Sequence, residues 1–302
     1  MKSKKIIIGS RGSKLALIYA ERARRKLFEF FSNVEIKKIT TTGDKNQKDR
    51  LSEIGGKGLF SKKIEEELIN KNIDIAVHSL KDMPSEETTG LITNCFLKRN
   101  APEEILITTE NKKFSELNSN AIIGTSSYRR EFQLKRIRDD LNYKTIRGNI
   151  DTRISKINNK DYDGIILAKA GIKSLELDHL ISQEFSTQEI IPSAGQGIVS
   201  IQCREGDIEV INMLSEVNDK NSSISAHAER KVLKILEGDC YTAVGVFSKI
   251  NKDNFKISGE LFSLDGKQRF FKVIEDKISN FLKVSIELGN YLKRESKDSY
   301  KK

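Results

Sequence analysis

Residues 4–31 read KKIIIGSRGSKLALIYAERARRKLFEFF. Three β-branched residues, Ile6, Ile7 and Ile8, run into a Gly/Ser turn, and beyond it Ala16, Ala20, Ala23, Leu27 and Phe30 recur at helical spacing. A strand that passes through a polar turn into an amphipathic helix is one βα unit, the building block of an α/β fold. Working outward, alternation over 34–39 predicts a second strand. Phe60, Ile64 and Leu68 mark a second helix, and 73–77 returns as a strand.

A second series repeats the pattern, with strands expected over 105–108, 121–123, 143–146 and 165–167 and helices over 127–138 and 150–157. Such alternation predicts parallel sheets covered by helices. The character changes near 222. A helix carrying Ala228, Val232 and Leu236 ends at Gly238, strands follow over 244–250, 255–264 and 269–274, and Asp265-Gly266 signals a hairpin between the last two. This third part reads as a small α+β domain closed by a C-terminal helix, with the tail ESKDSYKK expected to fray.

At 302 residues the chain is long enough for two or three modest cores. Its longest early apolar run is too short for a signal peptide, and no stretch approaches the ~18 apolar residues of a spanning helix, so a soluble, cytoplasmic protein is expected. Cys95, Cys203 and Cys240 are odd in number and widely spaced, so neither a disulfide framework nor a metal site is expected. The net charge of +10 favours anionic partners: nucleic acid, acidic lipid or a small polyanion.

Three segments share one design, a strand entering a polar turn with Arg at a helix start: 9–13 (GSRGS), 124–130 (GTSSYRR) and 147–153 (RGNIDTR). Helix N-termini offer unpaired N–H groups, and hydroxyls with guanidinium forks complete a carboxylate or phosphate site. Singly, each Ser is an ordinary cap. Three such turns point to a ligand with several carboxylates or phosphates gathered in one cleft at the strand ends. Nucleotide motifs do not fit, since a P-loop around GGKGLF would need Gly at Leu51 and Ser or Thr at Gly58.

The run 76–84, AVHSLKDMP, ends a strand in a Lys-Asp pair before a Pro-restricted turn. Asp82 could accept N–H groups and stabilise a developing cation, or close an Asx turn beside a solvated Lys81. His78 reads as a packed strand residue. Cys95 and Cys203 sit in apolar runs and read as buried. Cys240 follows a helix C-terminus in a turn beside Asp239, a setting that raises a thiol pKa and argues against a free thiolate while leaving a thioether open.

In order, IIIGSRGSKLAL, GGKGLF, AVHSLKDMP, GTSSYRRE, IRGNIDTR, ILAKAGIKSL, PSAGQGIVSIQCR and HAERKVLKILEGDC resemble the porphobilinogen deaminase (hydroxymethylbilane synthase) family over nearly the whole chain. The resemblance implies two lobes like those of type II periplasmic binding proteins plus a small C-terminal domain. Domain 1 would take 1–98 and 195–218, domain 2 99–194, and domain 3 219–302, with 192–197 as a return hinge. It implies a dipyrromethane cofactor thioether-linked to Cys240 and Asp82 as the catalytic residue. Ser13, Lys81, Ser127, Arg129 and Arg130 would hold cofactor carboxylates, and Arg11, Phe60, Arg147 and Arg153 would meet the substrate porphobilinogen. Four pyrrole units would be joined head to tail with loss of ammonia, and water would release hydroxymethylbilane. A monomer is expected, with no nucleic acid or membrane partner and with transient contact to uroporphyrinogen III synthase as the one protein partner considered.

Three positions depart from the family pattern: Asp239 for Gly, Ala243 for Pro, and Ser174 for an Arg. Two rivals fit the residues in part. A non-catalytic two-lobed anion-binding protein explains the Arg turns but not the third domain or Cys240. A nucleic-acid binder fits the charge but lacks aromatics interleaved with basic residues, and Trp is absent.

Overall fold

In a computed structural model, the described residues are 2–41, 58, 60–238 and 242–301. Along the chain, β1 (Lys2–Arg11) leads into α1 (Lys14–Leu27), β2 (Phe31–Ile39), α2 (Lys62–Ile69), β3 (Ile75–Ser79) and β4 (Leu91–Phe96). Next come β5 (Glu104–Thr108), β6 (Ile122–Gly124), α3 (Tyr128–Lys135), β7 (Asn142–Lys144), α4 (Ile150–Asn158), β8 (Gly164–Ala168), α5 (Lys169–Ser174) and β9 (Gln183–Phe185). The chain continues with β10 (Val199–Arg204), α6 (Ile208–Val217), α7 (Lys220–Leu236), β11 (Val244–Asn251), β12 (Asn254–Phe262), β13 (Arg269–Lys277) and α8 (Phe281–Ser296).

Described residues fall into two compact units, one holding those up to 100 together with 197–226, the other holding 101–196 and everything from 227 onward. In the first, the sheet order is β2-β1-β3-β10-β4. β1 pairs in parallel with β2 and β3, while β10 runs antiparallel to β3 and β4. The second unit holds a sheet of order β7-β6-β8-β5-β9, with β6 parallel to β7 and β8 and with β5 antiparallel to β8 and β9. The two sheets share one design. Each has three parallel βα strands and then an antiparallel strand, β10 or β5. The expectation of parallel sheets covered by helices holds for the βα strands and is corrected for β10 and β5: strands entered by a crossing of the chain rather than by a βα turn are free to run the other way.

Both faces of each sheet are covered. Tyr19, Ala20, Ala23 and Leu27 of α1 pack on one face of the first sheet with Val210, Met213 and Leu214 of α6, while Ile64 and Leu68 of α2 pack on the other. In the second unit, Leu134 of α3 joins Phe114, Phe185 and Ile190, and Ile157 and Ile172 lie with Ile105, Ile107 and Ile165. The second unit also contains a separate three-stranded antiparallel sheet, β11-β12-β13, with α8 against β12 and β13. The fold class expected from the sequence is therefore present: two α/β lobes and a small α+β domain.

The tail is not frayed. Tyr300 is buried, and its hydroxyl donates to the Leu236 carbonyl at 2.8 Å, while Lys301 pairs with Glu237. An aromatic with a polar tip satisfies an orphan carbonyl at the end of α7 while burying its ring, which outweighs the polar composition around it.

Candidate functional site

In the first unit, the C-terminal ends of the parallel strands β1 and β3 carry the candidate residues. Arg11 closes β1, and Gly12-Ser13 turns the chain into α1, where the Ser13 hydroxyl caps the helix by accepting the Ala16 N–H at 3.4 Å. The Arg11 guanidinium lies 4.1 Å from the Phe60 ring centroid, a cation–π contact that fixes two of the sequence candidates against each other.

From β3 the chain enters a 3-10 turn, Leu80–Asp82, closed by the Met83 N–H donating to the Leu80 carbonyl at 3.1 Å. Leu80 and Met83 are buried, Lys81 is half-buried and Asp82 is exposed. Among the described residues the Asp82 carboxylate makes no hydrogen bond or ion pair, so the Asx-turn reading finds no support in the geometry. A carboxylate on a turn anchored by two buried neighbours is held in place yet bonded to none of the described residues.

His78 sits below, fully enclosed, and burial pushes its pKa down to about 4, with the Arg11 charge adding to the effect and Gln202 opposing it. It is neutral and packed, as its place in the strand predicts. Nearby, the buried Glu65 carboxylate accepts from Gln202 at 3.1 Å and from the Thr88 hydroxyl at 3.0 Å. Cys95 and Cys203 are buried with free thiols, and burial raises their pKa values to about 12 and about 11. Neither offers a thiolate at neutral pH.

In the second unit, the turns after β6 and β7 lie side by side. The Thr125 N–H donates to the Lys144 carbonyl at 2.9 Å, and Ser127 caps α3 by accepting the Arg130 N–H at 3.4 Å. Gly148 holds a φ of +107°, a backbone state closed to ordinary L residues. A Cβ there would also meet Thr152 at 2.8 Å. That turn places Arg147, buried, before α4 and lets the Arg153 Nε donate back to the Gly148 carbonyl at 2.8 Å. Ser174 makes a helix back-bond to the Ala170 carbonyl at 2.7 Å, and Lys173 beside it is exposed.

Arg129 and Arg130 are buried rather than displayed. Both converge on Glu104, which is fully enclosed: Arg129 Nη2 stands 2.6 Å from one carboxylate oxygen and Arg130 Nη2 2.8 Å from the other. Arg129 also donates to the Ile191 carbonyl at 2.8 Å and Arg130 to the Ile166 carbonyl at 3.2 Å. Burial pulls the Arg129 pKa down, Glu104 pulls it back, and the neighbouring Arg130 charge lowers it again. A second buried carboxylate, Glu260, pairs with Arg136 at 2.8 Å and with Arg269. Sequence reasoning passed over Glu104 and Glu260. The available signal was an acidic residue inside an otherwise apolar strand, EILIT or GELF, where a charge persists only with a partner.

A third carboxylate, Glu229 of α7, is fully buried and accepts the Gly195 N–H at 2.7 Å and both the N–H and hydroxyl of Ser248 at 2.8 Å. It ties the 192–197 segment to β11, whose Gly245 lies so close to Ile191 that a Cβ would stand 2.7 Å from that carbonyl oxygen. Cys240, Asp239 and most of GGKGLF lie outside the described residues. Ala243 lies at the edge of the cysteine loop, is buried, and accepts from the Phe262 N–H at 3.1 Å.

The donor set fits a dipyrromethane. That group bears carboxylates, and in the second unit two guanidiniums, those of Arg129 and Arg130, share the single buried carboxylate of Glu104. Among the described residues there is no cluster of His, Cys, Asp and Glu able to hold a metal ion, and no helix long and apolar enough to cross a membrane.

Two family models cover the chain: the dipyrromethane-cofactor-binding domain of porphobilinogen deaminase matches residues 6–212, and the porphobilinogen deaminase C-terminal domain matches 223–297. Among curated relatives, porphobilinogen deaminase of Alkaliphilus metalliredigens is 40% identical over 95% of this chain and 92% of its own length. That of Exiguobacterium sibiricum is 44% identical over 88% of this chain and 87% of its own, and that of Clostridium novyi 41% identical over 96% and 99%. A solved periplasmic arginine-binding protein of Salmonella typhimurium aligns with 76% of this chain and 98% of its own, at 11% identity and a TM-score of 0.41. By its matched domains and its full-length relatives, the chain belongs to the porphobilinogen deaminase family.

Proposed function

We propose that the protein condenses four porphobilinogen molecules head to tail, with loss of ammonia at each step, and releases hydroxymethylbilane on hydrolysis, as a transferase of tetrapyrrole biosynthesis. The dipyrromethane, when bound through a thioether to Cys240, supplies the nucleophilic pyrrole α-carbon from which the product grows.

The remaining chemistry belongs to the chain's own side chains. Asp82 accepts pyrrole N–H groups and balances the positive charge that develops as ammonia leaves, acting from a fixed position so that no reorganisation is needed during reaction. Lys81, Ser13, Ser127, Arg129 and Arg130 hold cofactor carboxylates; Arg11, Arg147 and Arg153 hold those of the substrate, and Phe60 packs against a ring. In this reading Arg11 is pre-oriented by its stacking on Phe60. The domain division 1–98 with 195–218, 99–194 and 219–302 is part of the proposal, as are a cytoplasmic location, a monomeric state and transient contact with uroporphyrinogen III synthase.

The observation that carries the reading is the Asp82 carboxylate, anchored by its neighbours and bonded to nothing among the described residues. The test joins two measurements on freshly purified protein: intact mass, and ammonia release on adding porphobilinogen. A mass increment of two linked pyrrole units with stoichiometric ammonia release is expected. An unmodified chain that releases no ammonia would refute the activity and favour a binding protein.

A further inference from the structure

Arg129 and Arg130 are consecutive residues of a helix, so their side chains leave the axis about 100° apart. They nonetheless meet on one carboxylate, each guanidinium taking a different oxygen of Glu104. Both lie in the first turn of α3, where the helix dipole is unfavourable to a cation, and both are nearly out of water. Two adjacent buried cations repel each other, and the lowering of the Arg129 pKa by burial and by Arg130 reflects that cost. Glu104 offsets it from β5, while the Ile166 and Ile191 carbonyls take further N–H groups.

We propose that Glu104 is a positioning residue that stands in for a ligand carboxylate. It holds Arg129 and Arg130 converged while no dipyrromethane is bound, and it shares them with that group's carboxylates once it is attached. The inference rests on the cofactor reading above. An alternative role, a plain staple joining α3 to β5, requires the same ion pairs but makes no difference between cofactor-free and loaded protein.

That difference is what the experiment reads. Glu104→Gln keeps size and removes the charge. It is made in the otherwise unchanged chain and in a Cys240→Ser background, with intact mass reporting which proteins carry the pyrrole adduct and thermal unfolding reporting stability. In the cofactor-free background Glu104→Gln leaves two buried guanidiniums without their counter-charge. In loaded protein the ligand carboxylates replace it, so loading should raise the unfolding midpoint of Glu104→Gln by about 5 °C or more beyond the rise it gives with Glu104 intact. Glu104→Asp, which keeps the charge at a shorter reach, should give a rise between the two.

Equal losses in both backgrounds overturn the proposal and leave Glu104 a staple. Recovery of folded Glu104→Gln only when loaded supports it in extreme form. If Glu104→Gln folds in neither background, the comparison passes to Glu104→Asp, whose shorter reach weakens the same pairs, and an equal loss with and without cofactor again overturns the proposal. Adduct still present on Cys240→Ser protein would instead contradict the attachment site, and the mass measurement separates that failure from this one.

Discussion

Replacing Asp82 by Asn separates catalysis from folding, because the carboxylate is exposed and bonds to no described residue. Asn preserves volume and can remain in the same 3-10 turn, whose anchors are the buried Leu80 and Met83 and the Met83-to-Leu80 backbone bond. A surface substitution away from caps and pairs changes stability by no more than ~0.5 kcal/mol, or about 1–2 °C in the unfolding midpoint for a chain of this size. Catalysis has a different scale. Losing a preorganised charge aimed at a developing cation costs on the order of 3 kcal/mol, a hundredfold or more in rate. The assay is ammonia release from porphobilinogen by protein whose adduct has been verified by mass, alongside a thermal scan. Near-normal turnover by correctly loaded Asp82→Asn refutes the assigned role. A fall of several degrees in the midpoint refutes the claim that the carboxylate is uncommitted to the fold.

Cys240→Ser should purify without a pyrrole adduct and without activity, and peptide mapping that placed an adduct on Cys95 or Cys203 would contradict the attachment, since burial keeps both of those thiols protonated. Ser174→Arg should lower the KM for porphobilinogen with little change in kcat, because a guanidinium–carboxylate pair contributes roughly 1.5–3 kcal/mol, whereas the Ser174 hydroxyl donates to the Ala170 carbonyl of its own helix; an unchanged or higher KM would show the pocket rebuilt around another residue. His78 gives a pH signature. Its folded pKa of about 4 lies below the unfolded value of 6.5, so its stabilising effect is complete above pH 6.5 and is lost as pH falls toward 4, by about 3 kcal/mol in all. The stability difference between the native chain and His78→Gln should shrink over that interval, and a difference independent of pH would contradict the assignment.

The sequence made the βα units legible because their signals are local. Ser13 and Ser127 cap helices as the turn composition predicts, and Ile64 and Leu68 face the sheet as their spacing requires. Strand direction was not legible. β10 follows β9 by a segment that tells nothing about whether it will lie parallel or antiparallel to β3, because that choice is made by pairing between residues such as Val199 and Ser79, more than a hundred positions apart. The fate of the tail was hidden for a related reason: one aromatic, Tyr300, found a carbonyl 64 residues away at the end of α7, and composition averaged over ESKDSYKK conceals a single anchoring side chain.

The charged residues divide in the same way. Arg11 and Arg153 were recognisable as turn arginines, and the structure brings Arg11 onto Phe60 and Arg153 onto the Gly148 carbonyl. A turn arginine, however, says nothing about its exposure. Arg129 and Arg130 look equivalent to Arg11 in the sequence, yet they lie inside the second unit, because Glu104 at the head of an apolar strand supplies the counter-charge that makes their burial tolerable. Removing that carboxylate takes the nearest counter-charge from two buried cations, a loss of roughly 3–5 kcal/mol for a broken buried pair when nothing replaces it. Asp82 is the opposite case: an acid at a strand end whose burial would demand a partner and whose exposure needs none. Turn arginines and strand-end acids therefore cannot be ranked by type or turn position alone. What distinguishes them is whether the fold has already answered their charge: Glu104 answers that of Arg129 and Arg130, and no described residue answers that of Asp82.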